Sequence, residues 1–430
     1  MLKAQKIALA VLIHAAFISS TYASEQSEAK GFVEDAEGSV LFRTGYLTRD
    51  KKHGRADTSS FAQTAIVKLE SGFTEGPVGV GVGLVGDASF KIGENAHAGN
   101  GMIPQHPDGS AYDHWARGGA FVKARISNTT AVYGTQVLDI PVLASNTARL
   151  VPEYFTGLLV TSNEIDKVTL TAGKFTENQY SSQINSDGNQ LDNAYVWGVS
   201  YKPSEQLSTT YYGTDVEDKL LRHYANVNYT HALKNEAALN LDFSGYHTEF
   251  EKGADTASQT TNDLSDRQNS IWAVSAGYNK DVHGVMLAYQ QNSGNTGYDY
   301  GYNADGVQSI YLPNSYLSDF IGNDEKSLQL QYNLNFKHFG LAGLNWTTAF
   351  VYGWDIKIAD DIDRSQIIDT AEEHEFFNQI KYTVQTGALK DASLRLRHSY
   401  LRASDSYQGN NGIGDTNEWR IWLDIPVKLF

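Results

Sequence analysis

Apolar and polar residues alternate along most of this chain. In "SLQLQYNLNF" Leu328, Leu330, Tyr332, Leu334 and Phe336 share one parity, while Gln329, Gln331, Asn333 and Asn335 share the other. "VGVGVGLVGD" sets Val78, Val80, Val82 and Leu84 against Gly79, Gly81 and Gly83, and "ALNLDFSGYH" sets Leu239, Leu241 and Phe243 against Asn240, Asp242 and Ser244. "GVMLAYQQ" repeats the pattern with Val285, Leu287 and Tyr289. Successive side chains of an extended strand point to opposite faces, so a period of two predicts strands with one oily and one polar face. About eighteen such runs can be marked: near 40–49, 60–73, 78–92, 115–127, 129–139, 154–164, 167–176, 194–203, 207–217, 222–232, 238–250, 270–280, 284–294, 327–336, 344–356, 375–385, 392–402 and 417–428. Separators alternate in length. Short ones are 127–128, 164–166, 203–206, 281–283 and 389–392; long ones are 93–114, 177–193, 251–269, 295–326, 357–374 and 403–416. No long amphipathic helix and no domain linker interrupts the series.

Two all-β architectures share this alternation. A soluble sandwich buries its apolar face between sheets, whereas a membrane barrel turns that face to lipid and its polar face to a lumen. Three features favour the barrel. Runs of about ten residues exceed the five or six usual in soluble sheets. Aromatics stand at run ends (Tyr46, Trp115, Tyr154, Tyr201, Tyr289, Trp354, Trp419), as interface girdles would. The chain also begins like an exported protein and finishes on an apolar run and Phe430, although Phe430 is out of phase with that run's stripe and Pro426 is expected to interrupt it. Short turns at one end and long loops at the other fit bacterial outer-membrane barrels.

Composition narrows the choice. Lys3 and Lys6, the apolar run 7–18 and the small residues up to Ala23 read as a secretory signal peptide, residues 1–23, leaving 24–430 as the barrel. That run is too short to span a bilayer as a helix, and no later stretch has eighteen consecutive apolar residues. The formal net charge is −16, which argues against nucleic acid, whose phosphates require a basic face. The acids cluster in stretches such as 357–375, expected to be solvated loops. There are no cysteines, so no disulfide framework holds the fold.

Against that acidic background, cations gather on the polar parity. "DASLRLRHSYLRAS" (391–404) puts Leu394, Leu396, His398 and Tyr400 on one face and Arg395 and Arg397 on the other. The run 115–127 places Trp115, Arg117, Phe121, Lys123 and Arg125 together; 375–385 contributes Gln379 and Lys381; 417–428 contributes Glu418, Arg420, Trp422 and Asp424; and the first run contributes Arg43. In a closed barrel the last strand neighbours the first, which brings Arg420 near Arg43. Guanidinium groups offer paired donors that match carboxylate or phosphate, and rings of Arg and Lys select anions in pores. A plainer account is that these cations only neutralise acids such as Glu418 and Asp424. The G-x-G-x-x-G of Gly81, Gly83 and Gly86 lies inside a strand and not at a strand–helix junction, so it predicts small inner residues and no nucleotide site. The twelve histidines form no ligand-like group, and no nucleophile is singled out. No cofactor or metal is expected.

Six stretches, "GFVEDAEGSVLFRTGYLTRD", "ESGFTEGPVGVGV", "HWARGGAFVKARIS", "ARLVPEYFTGLLVTSNEI", "SDFIGNDEKSLQLQYNLN" and "LRLRHSYLRAS…GDTNEWRIWLDIPV", together resemble the OprD family of outer-membrane carboxylate channels along nearly the whole chain after residue 23. The resemblance implies an eighteen-stranded antiparallel transmembrane β-barrel with short periplasmic turns, long extracellular loops and an inward-folded third loop. It implies a monomeric-type barrel, at most a weak homo-oligomer, in the outer membrane of a Gram-negative bacterium. It also implies passive diffusion of small anionic or zwitterionic carboxylates, either amino acids or aromatic and cyclic acids. The basic ladder falls on Arg43, Lys123, Arg125, Lys381, Arg395, Arg397 and Arg420, with Arg117 added by strand phase alone. The acidic counterpart falls on Asp319 with Ser318 and Asn314 nearby, and the narrowing loop on 139–153 with Arg149. "MIPQHPDG" and the loop at 251–269 differ from the amino-acid-selective members, which leaves both substrate branches open. Two other outer-membrane roles, a barrel lipid hydrolase and a loop-based adhesin, remain as alternatives.

Overall fold

The alternating runs become strands of a closed barrel in a computed structural model that describes residues 24–93, 98–186, 190–254, 267–301, 309–359, 366–408 and 413–430. The expected signal peptide lies outside the described residues. In chain order the strands are β1 (Glu37–Lys51), β2 (Thr58–Glu70), β3 (Val78–Lys91), β4 (His114–Ile126), β5 (Thr129–Gln136), β6 (Tyr154–Ile165), β7 (Val168–Gln179), β8 (Ala194–Tyr201), β9 (Leu207–Val216), β10 (Leu220–Ala232), β11 (Ala237–Phe250), β12 (Arg267–Lys280), β13 (His283–Gly294), β14 (Lys326–Asn335), β15 (Leu344–Ala359), β16 (Ile367–Thr383), β17 (Ser393–Ala403) and β18 (Thr416–Lys428). Every strand pairs antiparallel with its sequence neighbours, and β18 pairs with β1. Closure removes both sheet edges, so no row of strand amides is left facing lipid.

Parity decides which way each residue points. On β3 Val78, Val80, Val82 and Leu84 face outward, each more than 40% exposed, while Gly79 and Gly81 are buried on the inner face. Leu328 and Leu330 of β14 and Leu394 and Tyr400 of β17 are also outward and exposed. The polar parity faces inward: Arg117 and Lys123 of β4, Glu373 and Glu375 of β16, and Glu418 and Arg420 of β18 are all buried. The inner glycines of β3 make room for these long side chains. A Cβ at Gly81 would lie 2.6 Å from Cε of Lys123, and one at Gly83 would lie 2.2 Å from the Phe121 ring.

One end of the barrel carries tight turns. Ser127, Lys167 and Asp281 take left-handed backbone in two-residue hairpin turns there, and Asn235 and Glu236 do so in the longer 233–236 turn. Long segments emerge at the other end, and among the described residues those at 98–113, 137–153 and 309–325 bury side chains against inward-facing ones. The 137–153 loop buries Leu138, Ile140, Val142 and Leu143 against Tyr224, Tyr246 and Ile271 of β10–β12. Ile310 and Leu312 join the same cluster.

Three expectations need correction. The stretch 357–375 is not simply a solvated loop: β15 runs to Ala359 and β16 starts at Ile367, with Glu373 and Glu375 essentially inaccessible. Their inward parity, rather than their charge, fixes their place. Trp115 and Tyr154 do not belong to a lipid-facing girdle, since both point inward and are at most 5% exposed. Pro426 does not break β18. It pairs with Leu41 of β1 beyond Asp424, the last β18 residue paired with β17, where one side of the strand has no neighbour to receive an amide.

Candidate functional site

Adjacent strands bring separate sequence segments into one inner wall. Across β16, β17 and β18, Lys381 stands opposite Arg395, Gln379 opposite Arg397, and Arg397 opposite Arg420. Across the barrel seam Arg43 stands opposite Asp424, and Arg49 opposite Glu418. Like charges facing each other across strands are unfavourable, so the wall's own carboxylates matter. Asp424 takes Arg43 in a bidentate pair, 2.7 Å from Nε and 3.1 Å from Nη2. Glu418 is shared between Arg49, at 2.7 Å, and Nε of Arg420.

Those two acids do not saturate the wall. Nε of Arg397, Nη2 of Arg420, Nη2 of Arg49 and Nη1 of Arg149 are buried without a hydrogen-bond partner among the described residues. Arg397 lies over the Phe377 ring, 4.9 Å from its centre. Arg149 arrives from the 137–153 loop, whose position there is held by Nη1 of Arg43 bonding the Arg149 carbonyl at 3.2 Å. Burial pushes the Arg149 guanidinium below its ordinary value, and the neighbouring Arg420 and Arg49 push the same way.

The remaining cations divide into different environments. Arg117 is fully enclosed: it pairs with Asp87 at 2.9 Å and bonds the carbonyls of Tyr180 and Pro152, each at 2.6 Å. It therefore pins the end of the 137–153 loop and is not an open rung, which corrects its assignment from strand phase. Lys123 pairs with Glu70 at 2.6 Å, and Arg125 bonds Gln26 at 3.1 Å; both lie over the Phe73 ring. Lys381 is on the inner parity near the tight-turn end and is exposed.

Across from the arginine wall, Asp319 is 8% exposed and accepts from the hydroxyls of Tyr300, at 2.7 Å, and Ser315. Burial raises its carboxyl above the usual range, opposed by those hydroxyls and then by the charges of Arg420 and Arg149. Ser318 and Asn314, expected nearby as polar contacts, hold this segment in place. Ser318 gives its hydroxyl to Glu373 at 2.6 Å and its amide to Glu375 at 3.0 Å. Asn314 donates to Ser327 at 2.8 Å. Sequence reasoning missed Arg49, although it shares the parity of Arg43 on β1. It also missed Glu373, which precedes the run expected at 375–385, and Glu375, the first residue of that run, which it counted with the acidic stretch 357–375. No group of three or more His, Asp or Glu side chains among the described residues could hold a metal ion.

Comparison with known proteins places this geometry in context. The family described as "outer membrane porin, OprD family" matches residues 30–429. Porin D of Pseudomonas aeruginosa is 35% identical, covering 96% of this chain and 95% of that protein. A porin-like protein GalP of Pseudomonas putida is 26% identical over 94% of this chain and 95% of its own length. Among solved structures, OccAB1 of Acinetobacter baumannii superposes with a TM-score of 0.91 at 65% identity, covering 95% of this chain and all of that one. Pseudomonas aeruginosa OccK9 (OpdG) gives a TM-score of 0.83 at 26% identity, covering 93% and 100%.

Proposed function

The chain belongs to the OprD family of outer-membrane porins, and on that premise we propose that it conducts small carboxylate-bearing solutes along its arginine wall. It is an outer-membrane channel of the Occ type from a Gram-negative bacterium; its relatives are channels and not enzymes, which sets aside the lipid hydrolase.

The observation carrying the proposal is the surplus of buried guanidinium donors at one level of the lumen, on Arg397, Arg420, Arg49 and Arg149. Donors held out of water gain by meeting a carboxylate, whose two oxygens match the guanidinium fork. Arg395 and Arg397 have no paired acid among the described residues, so a solute carboxylate moves from Arg149 and Arg420 to Arg397 and then Arg395. Arg43, already paired with Asp424, shapes the field more than it binds. Asp319 faces the same space and would hold the ammonium of a zwitterion while its carboxylate rides the wall. Lys123, Arg125 and Lys381 extend the positive potential toward the tight-turn end. Each contact is weak enough to release, because a solute bound too tightly stops the flow. Transit follows the solute gradient, without cofactor or energy coupling.

Liposome swelling tests this reading. Proteoliposomes should swell faster in a set of amino acids and aromatic acids than in their carboxamides of matched size. Equal rates within each pair would defeat the carboxylate assignment.

A further inference from the structure

Three buried carboxyls stand behind Asp319, and none enters the solute path described above. Glu375 of β16 accepts the amide of Leu317 at 3.0 Å and of Ser318 at 3.0 Å, and also bonds Ser399 of β17. Glu373 accepts the Ser318 hydroxyl, which in turn accepts the Phe320 amide at 3.2 Å. Asp319 lies between these anchored residues, and Phe320 is held wholly buried in left-handed backbone, which a bulky residue rarely adopts. Glu325 closes the turn by accepting the Gly322 amide at 2.7 Å through Oε2. Its other oxygen, Oε1, is buried and has no donor among the described residues. Glu325 reaches over Gly353, whose cross-strand partner on β16 is Glu373, so the two carboxyls are brought to the same place on the inner wall. Gly353 leaves the space for this approach, since a Cβ there would lie 2.2 Å from Oε1 of Glu325.

Two carboxylates brought together out of water repel unless they share a proton, and a buried acceptor lacking a donor is costly. We propose that one proton shared between Glu325 and Glu373 latches the 317–325 turn to β16, making these two residues the positioning groups that fix Asp319 at the constriction. Burial and the Glu373 charge raise the Glu325 carboxyl, in keeping with a proton retained at neutral pH. Among the described residues, no ion pair engages either carboxyl. Glu375 of β16, Glu418 of β18 and Asp319 are acidic, and Tyr407 is a buried phenol near Gly322. Arg397 of β17 faces Glu375, and Asp324 is engaged by Lys357. Raising the pH releases the proton to water, leaves two adjacent carboxylates, and frees the turn.

The inference rests on Asp319 lining the constriction. Its test uses ionic current in KCl, so its failure is separable from failure of the carboxylate reading. Single channels in planar bilayers are recorded from about pH 5 to about pH 10, with each side-chain change compared over that range. The native protein should show one alkaline rise in current noise, about two pH units wide as for a one-proton titration. In Glu325→Gln and in Glu373→Gln the amide supplies the missing donor, so the step should vanish while open-channel current at neutral pH stays within about twofold. Tyr407→Phe should keep the step. A native channel with no step, a step unchanged in both glutamine variants, or one abolished by Tyr407→Phe would overturn the shared proton. A step moved by EDTA would assign the site to a cation and overturn it equally. Either glutamine variant suffices if the other fails to form a heat-modifiable barrel.

Discussion

The two sides of the lumen solve opposite problems. Around β10–β12 the inner face meets Leu138, Ile140, Val142 and Leu143 of the 137–153 loop and Tyr298, Ile310 and Leu312 of the segment before β14, forming a dry apolar plug. Around β16–β18 and β1 the inner face keeps Arg395, Arg397, Arg420, Arg43, Glu418 and Asp424, with guanidinium donors left over. The apolar side gains by excluding water, so it holds the loops; on the charged side Met102, Leu150 and Val151 pack against Leu47 and Trp422, and the guanidinium donors beside them keep no partner among the described residues. An inward loop on a barrel is therefore a fixed wall, aimed by its hydrophobic attachment at the opposite arginines.

The largest break in this contrast comes from Leu143→Asp. Leu143 is fully buried in the plug, and an unpaired carboxylate there costs several kcal/mol. The loop should leave the lumen, raising single-channel conductance in KCl by about twofold or more, as expected when a constriction is lost. Unchanged conductance would mean the loop is held by something other than its apolar face. Arg117→Ala comes next: it strands buried Asp87, so thermal unfolding should register a loss of about 3–5 kcal/mol. The Arg117→Ala, Asp87→Ala double variant should recover part of that loss, and non-recovery would show that the pair is not the pin. A smaller effect concerns Asp319. Its carboxyl is raised by burial, so acidification removes its negative charge above the ordinary carboxylate value of about 4. Anion selectivity should therefore increase as pH falls through that range, and Asp319→Asn should show the increase already at neutral pH. Lys381→Ala should be the mildest: an exposed charge is worth about 0–1 kcal/mol, so carboxylate flux should fall less than about twofold. A larger fall would extend the working wall to the tight-turn end.

Strand count, strand order and the inward face were legible in the sequence because alternation with period two is a local property. "DASLRLRHSYLRAS" already separates Leu394, Leu396 and Tyr400 from Arg395 and Arg397, and the structure keeps that division. What a residue meets across the lumen is not local. Arg117 and Arg397 have the same parity logic, yet Arg117 meets Asp87 and two loop carbonyls while Arg397 meets an aromatic ring. Trp115 and Tyr154 were misplaced because an aromatic at a strand end can face lipid or lumen, and only its phase tells which. Glu373 falls before a run that begins at 375, eight residues after the strand's true start at Ile367, and Glu375 at its head is counted with the acidic stretch, since "IIDTAEEHEFF" reads as acidic surface until its alternation is followed outward.

The central claim is that Arg395 and Arg397 on the β17 wall carry the solute's carboxylate. It is tested most directly by reversal potentials and benzoate or glutamate currents of the Arg395→Ala, Arg397→Ala double variant in planar bilayers. Charge-assisted hydrogen bonds worth about 1.5–3 kcal/mol should be lost, so carboxylate current should fall about tenfold or more while potassium current stays nearly constant. An equal fall in both currents, or none in the carboxylate current, would contradict the account.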